Sequence, residues 1–149
     1  QYRDLPAAHR QHTHAGHCRW IHGHNWGFDI TFSCRDLDPC GFVVDVGGLG
    51  VLRKWLQENF DHTLLLNLDD PQLKRIEVGL ETLAMSQSIW LAKIVVVPNC
   101  GMEGLSKLVY SNVNTLIQDH YIDGVDRGLV CVKVVCWEDS KNCATYEPS

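Results

Sequence analysis

Cys18-Arg19-Trp20-Ile21-His22-Gly23-His24 sets two histidines on either side of a glycine, four residues after a cysteine. If His22-Gly23-His24 is extended, both imidazoles leave the same side of the chain, because strand side chains repeat every second residue. Two nitrogen donors then converge without help from a loop. Gly23 carries no side chain, so a backbone or a substrate can approach closely on that side. A catalytic zinc needs three protein ligands and an open fourth position, so the pair wants one more donor.

His9 is the third donor expected, leaving the inner face of a predicted strand over residues 1–9, on the parity of Leu5 and Ala7. His12, His14 and His17 crowd a loop-like stretch around Gly16 and are spare candidates. An isolated His-x-His is more often a surface pair, but a nearby cysteine and a third histidine shift the balance towards zinc on His9, His22 and His24. Zinc in such a site polarises a substrate oxygen as a Lewis acid. Cys18 fits two chemistries, a fourth ligand that closes the site or a thiolate base or nucleophile beside it, and spacing alone does not choose. Asp61-His62 reads either as polar residues closing a helix or as a carboxylate-oriented imidazole that draws a proton from a thiol. Glu138 ends an apolar run, where a carboxylate could hold a guanidine-like edge through two parallel hydrogen bonds. Cys34, Cys40, Cys100, Cys131, Cys136 and Cys143 carry no assigned task.

The elements that must position these residues follow from periodicity. From His24 to Cys34 the chain alternates, with Trp26, Phe28, Ile30 and Phe32 on the parity of His22 and His24, which predicts a half-buried strand with the histidines at its mouth. Asp36 to Gly41 is turn chemistry, and Asp45 caps a helix whose apolar face is Leu49, Leu52, Leu56 and Phe60. A second helix is predicted from Asp70 to Leu91, and a third carries Leu105, Leu108, Val109, Leu116 and Ile117, with Glu103 in its first turn. Between them lie the β-branched run Ile94 to Val97 and a turn from Pro98 to Gly101. Leu129 to Trp137 and Ala144 to Tyr146 form a predicted hairpin. The order strand, strand, helix, helix, helix, strand, strand implies an α+β fold, helices on one face of an antiparallel sheet.

Composition narrows the function classes. At 149 residues and 45% hydrophobic, the chain fits one domain with its own core. A net charge of -5 disfavours a nucleic-acid groove. The seven cysteines are odd in number and contain no Cys-x-x-Cys, which favours reduced thiols over a disulfide scaffold. No apolar run approaches ~18 residues and no leader pattern opens the sequence, so a soluble, cytoplasmic protein without membrane partners is expected.

Taken together, LPAAH, CRWIHGHNW, GFVVDV, FDHTLLLN, the Glu103 segment and VCWEDS resemble the 6-pyruvoyltetrahydropterin synthase / 6-carboxytetrahydropterin synthase family. The resemblance implies the tunnelling fold, a four-stranded antiparallel sheet backed by helices, with the barrel closed by oligomerisation as trimers or hexamers and active sites between subunits. It implies zinc on His9, His22 and His24, Cys18 as the proton-transfer thiol, and Asp61 and His62 as its activators. Glu138 matches the residue that anchors the pterin ring, and Glu103 a second substrate contact. The implied substrate is 7,8-dihydroneopterin triphosphate. Two features depart from the family pattern: an insertion at about 69–97, and Cys100-Gly101-Met102 where Pro-Thr is usual. For the triphosphate, Arg3, Arg10, Arg19 and Lys141 are the available cations. The reading preferred from sequence is a zinc-dependent lyase forming 6-carboxy-5,6,7,8-tetrahydropterin on the way to 7-deazapurines such as queuosine. The alternatives are the sister pyruvoyl-forming reaction and a non-catalytic zinc or pterin binder.

Overall fold

In a computed structural model, which describes residues 1–87 and 91–149, the chain opens with two antiparallel strands, β1 (Tyr2–His9) and β2 (His22–Ser33). Leu5 stands opposite Trp26, Ala7 opposite His24 and His9 opposite His22. Paired residues of an antiparallel ladder share a face. The alternation in both strands therefore sends Leu5, Ala7, Trp26 and Phe28 into one core, all buried. The alternation expected through Cys34 holds, with Ile30, Phe32 and Cys34 packed against this core while Thr31 and Ser33 are exposed, although the strand itself ends at Ser33.

Asp45 caps the chain's next element as expected, its Oδ1 accepting from the Gly47 amide at 2.9 Å at the head of a short 3-10 turn. Helix α1 (Gly50–Phe60) follows and buries Leu52, Leu56 and Phe60 against the sheet, with the Phe60 and Phe28 rings 4.8 Å apart. After it comes β3 (Thr63–Asn67), then α2 (Leu73–Gln87) and β4 (Lys93–Val97). The helix predicted from Asp70 to Leu91 is thus shorter: Asp70 instead accepts from the Gln72 amide ahead of it, and Leu91 lies outside it. Residues 88–90 of that prediction fall outside the described residues. Helix α3 (Met102–Gln118) buries Leu105, Val109, Val113 and Ile117, and β5 (Val130–Trp137) and β6 (Cys143–Tyr146) close the chain as the expected hairpin.

The fold class α+β holds, but the sheet corrects the four-stranded antiparallel expectation. It has six strands in the order β4-β3-β1-β2-β5-β6 and is mixed, because β3 pairs parallel with β1 and β4 parallel with β3. The reason is visible in β3, whose five residues are all buried. A strand covered on both faces has no polar side to alternate, so TLLLN reads as a short apolar run rather than a strand. Helices α1 and α3 share one apolar core with β1, β2 and β5. Among the described residues, no helix is long and apolar enough to cross a membrane.

Gly104, in the first turn of α3, tests how tightly this frame holds the turn before it. Alanine at an exposed helical position would gain about 1 kcal/mol of helix propensity, yet a Cβ here would meet the Asn99 carbonyl oxygen at 2.5 Å. Backbone cannot yield as a flexible side-chain tip does, and overpacking costs roughly 1–3 kcal/mol. Gly104→Ala is expected to lower the urea midpoint of unfolding; a raised midpoint would refute the packing argument.

Candidate metal and active site

The cross-strand register builds the site. His9 and His22 face each other at the ends of β1 and β2, and His24 lies two residues further along β2 on the same side. Glu138 follows β5 directly and continues the inward parity of Val134 and Cys136. These four residues offer one ligand atom each, all within 4.8 Å of one another. His9 Nε2 is 3.2 Å from His22 Nε2 and 3.6 Å from Glu138 Oε1, which in turn is 3.2 Å from His24 Nε2.

The protonation pattern follows from the neighbours. His9 Nδ1 lies 2.8 Å from the Cys100 carbonyl and His22 Nδ1 2.7 Å from the Trp20 carbonyl. A carbonyl only accepts, so both Nδ1 atoms carry the proton and both Nε2 atoms present lone pairs. Two lone pairs 3.2 Å apart cannot hydrogen-bond each other. His24 Nε2 is buried and, although close to Glu138, lacks hydrogen-bond geometry to any partner. Two acceptor nitrogens, an unpartnered buried His24 Nε2 and a carboxylate oxygen converging on one point are what a bound cation resolves, and ring N–H groups held by carbonyls are the usual outer support of metal-binding histidines. The residues present therefore fit a metal. Burial also favours the neutral, ligating form: the His9 pKa is pushed down to about 4 chiefly by burial, and burial lowers that of His24 against the pull of Glu138.

A cavity of about 650 Å³ opens beside the cluster, with Arg3, His24, Trp137 and Glu138 in its wall. Gly23 borders it and a second cavity of about 490 Å³. A Cβ at Gly23 would make only ordinary contact with the Ala7 carbonyl oxygen, at 3.7 Å, so what its absence provides is open wall. His62 lines the second cavity together with His24. Asp61 Oδ1 is 2.5 Å from His62 Nδ1, and His62 itself is held at φ 56° with its amide donating to the Pro6 carbonyl at 2.7 Å. Its side chain is 83% exposed.

Not every predicted residue is gathered here. Cys18 sits in a 3-10 turn (His17–Arg19), outside the four-donor group and in neither cavity wall. Glu103 is exposed in the first turn of α3. Of the cations considered for a triphosphate, Arg3 reaches the large cavity but pairs with Asp29 at 2.6 Å, Arg10 pairs with Asp70 at 3.0 Å, and Arg19 lies over the Trp20 ring. Glu138 lies with the histidines, and its parity with Val134 and Cys136 in the sequence is the signal that points there. The part played by Cys100 had no signal, because it acts through its backbone.

Burial of a neutral His9 makes the metal-free fold sensitive to acid. The unfolded chain protonates this imidazole below its ordinary 6.5, whereas the folded one resists until about 4, so the unfolded state binds more protons in that window. Stability is expected to fall as pH drops from 6.5 towards 4, and His9→Gln to flatten that slope, in chemical denaturation series on chelator-treated protein. An unchanged slope in the variant would assign the acid sensitivity elsewhere.

Comparison with known proteins agrees with this fold. A curated relative from Rickettsia typhi, 6-carboxy-5,6,7,8-tetrahydropterin synthase, is 38% identical over 76 residues, 50% of this chain and 55% of that protein. The match thus spans about half the length of this relative. A protein of the same name from Bacillus subtilis is 29% identical over 134 residues, covering 90% of this chain and 73% of the relative. Among solved structures, an uncharacterized protein from Wolinella succinogenes superposes with a TM-score of 0.76 at 18% identity, over 99% of this chain and 95% of that one. The 6-pyruvoyltetrahydropterin synthase of Plasmodium vivax does so with 0.66 at 14%, over 97% and 91%. The family model for 6-pyruvoyl tetrahydropterin synthase matches residues 2–149, and with three inward histidines on the first two strands the chain belongs to that family.

Proposed function

We propose that this protein is a zinc-dependent 6-carboxy-5,6,7,8-tetrahydropterin synthase acting on 7,8-dihydroneopterin triphosphate, with release of triphosphate and acetaldehyde, in the route to 7-deazapurines such as queuosine. The observation that carries the reading is the convergence of His9, His22, His24 and Glu138 on one point beside an open cavity. Relatives carrying that enzyme's name support the choice of reaction. Zinc suits an imidazole-rich set of this kind, and when bound it supplies Lewis-acid polarisation of a substrate oxygen.

The chain's own residues divide the remaining work. His9, His22 and His24 hold the metal, with ring orientation fixed for the first two by backbone carbonyls. Asp61 fixes His62 with its proton on Nδ1, which leaves Nε2 to draw a proton from the Cys18 thiol. Cys18 then exchanges protons with the side-chain carbons of the substrate. Glu138 supplies a carboxylate for the guanidine-like edge of the pterin ring, and Glu103 a second substrate contact. Because His62 lines the second cavity and Cys18 lines neither of the two beside the cluster, the reading includes a homo-oligomer, trimer or hexamer, in which they meet between subunits. The segment 69–97, which carries α2 and β4, is an insertion relative to the family that widens the sheet.

Mass spectrometry of the products of zinc-loaded protein with 7,8-dihydroneopterin triphosphate is the direct test. A 6-carboxy product with acetaldehyde is expected. A 6-pyruvoyl product without acetaldehyde would move the protein to the sister reaction. Cys18→Ala is expected to reduce turnover by roughly 10²–10⁴-fold, the range for a positioned acid–base group, with the zinc content unchanged. Loss of zinc would make Cys18 a ligand instead, and unaffected substrate handling would favour a non-catalytic binder.

A further inference from the structure

We infer that Asn67 is a positioning residue for the metal ligand His9, acting through Cys100. The inference rests on the reading of the histidine cluster as a metal site. Cys100 is fully buried and held from three directions. Its amide donates to Asn67 Oδ1 at 2.6 Å, its thiol donates to the Arg10 carbonyl at 3.2 Å, and its carbonyl accepts from His9 Nδ1 at 2.8 Å. The last of these sets the tautomer and ring plane of His9, so whatever locates Cys100 also locates a ligand.

Asn67 is the side chain suited to that task. It ends β3, is 5% exposed, and lies in register with Val97 of β4, three residues before Cys100. Because the Cys100 N–H can only donate, the Asn67 amide is oriented with Oδ1 towards it, and its Nδ2 faces His12 Nδ1 at 3.3 Å. One amide therefore joins the strand that flanks β1, the loop that follows β1, and the turn that leads into α3. The Arg10–Asp70 pair closes the same region from the side, with the Asp70 side chain fully buried. Without the amide the Cys100 N–H is left unsatisfied in a buried place, and the turn can shift relative to β1.

Outer partners of metal-binding histidines typically change metal affinity by roughly 10–100-fold when removed. Cobalt titration of the metal-free protein, followed by its visible absorption, reads both affinity and ligand geometry. Asn67→Ala is expected to bind cobalt 10–100-fold more weakly with an altered visible spectrum, and Asn67→Asp, which keeps an oxygen acceptor, to recover most of both. Should the alanine variant fail to fold, Asn67→Leu keeps the side-chain volume, loses the acceptor and carries the same comparison. Wild-type affinity and spectrum in a folded variant that lacks the acceptor would overturn the inference alone. Wild-type protein that takes up no cobalt would overturn the metal reading and this inference with it.

Discussion

The pairing of His9 with His22 across β1 and β2 is the constraint that the rest of the structure serves. It brings two imidazole lone pairs to 3.2 Å, an arrangement that favours neither ring by itself. A slip of one residue would send every side chain of β1 to the opposite face. Such a slip would expose Leu5 and Ala7 as well as His9, so the apolar core holds the polar site in register. Trp26 strengthens the tie: its ring packs edge-on against His9 at 5.0 Å, and its indole N–H donates to the Ala7 carbonyl at 3.2 Å. Hydrophobic burial thus supplies the energy that holds converging donors together.

What was legible in the sequence divides along physical lines. The period-2 pattern of β1 and β2 carried both the core and the three histidines, because each strand has one buried face and an alternation to show. The faces of α1 and α3 were legible for the same reason at helical period. β3 was not, since all five of its residues are buried, and β4 resembled a connector because its short β-branched run gives no hint of a parallel partner. Glu138 was legible as a site residue, while its closeness to His24 depended on where β5 ends against β2.

The supporting shell escaped sequence reading altogether. Cys100 contributes a carbonyl and an amide, groups that every residue except proline possesses. Cys100-Gly101, where the resemblance leads one to expect Pro-Thr, falls where backbone groups hold His9. The buried Cys100 thiol, its pKa pushed up to about 11 mainly by burial, stays protonated and can donate to Arg10. Cys100, to which the sequence assigns no task, therefore sits one hydrogen bond from a histidine of the candidate metal site.

His62 carries one more consequence. Its backbone is fixed at φ 56°, in a region that L-residues other than glycine, asparagine, aspartate and histidine seldom enter. Such a conformation costs of order 1 kcal/mol or more, and the bond from its amide to Pro6 holds it there. The imidazole consequently stands away from the surface before any partner arrives, with the conformational work already done during folding. A more relaxed backbone at this position would relieve that cost and aim the ring elsewhere, so thermal stability and the present direction of the imidazole pull the same residue in opposite directions.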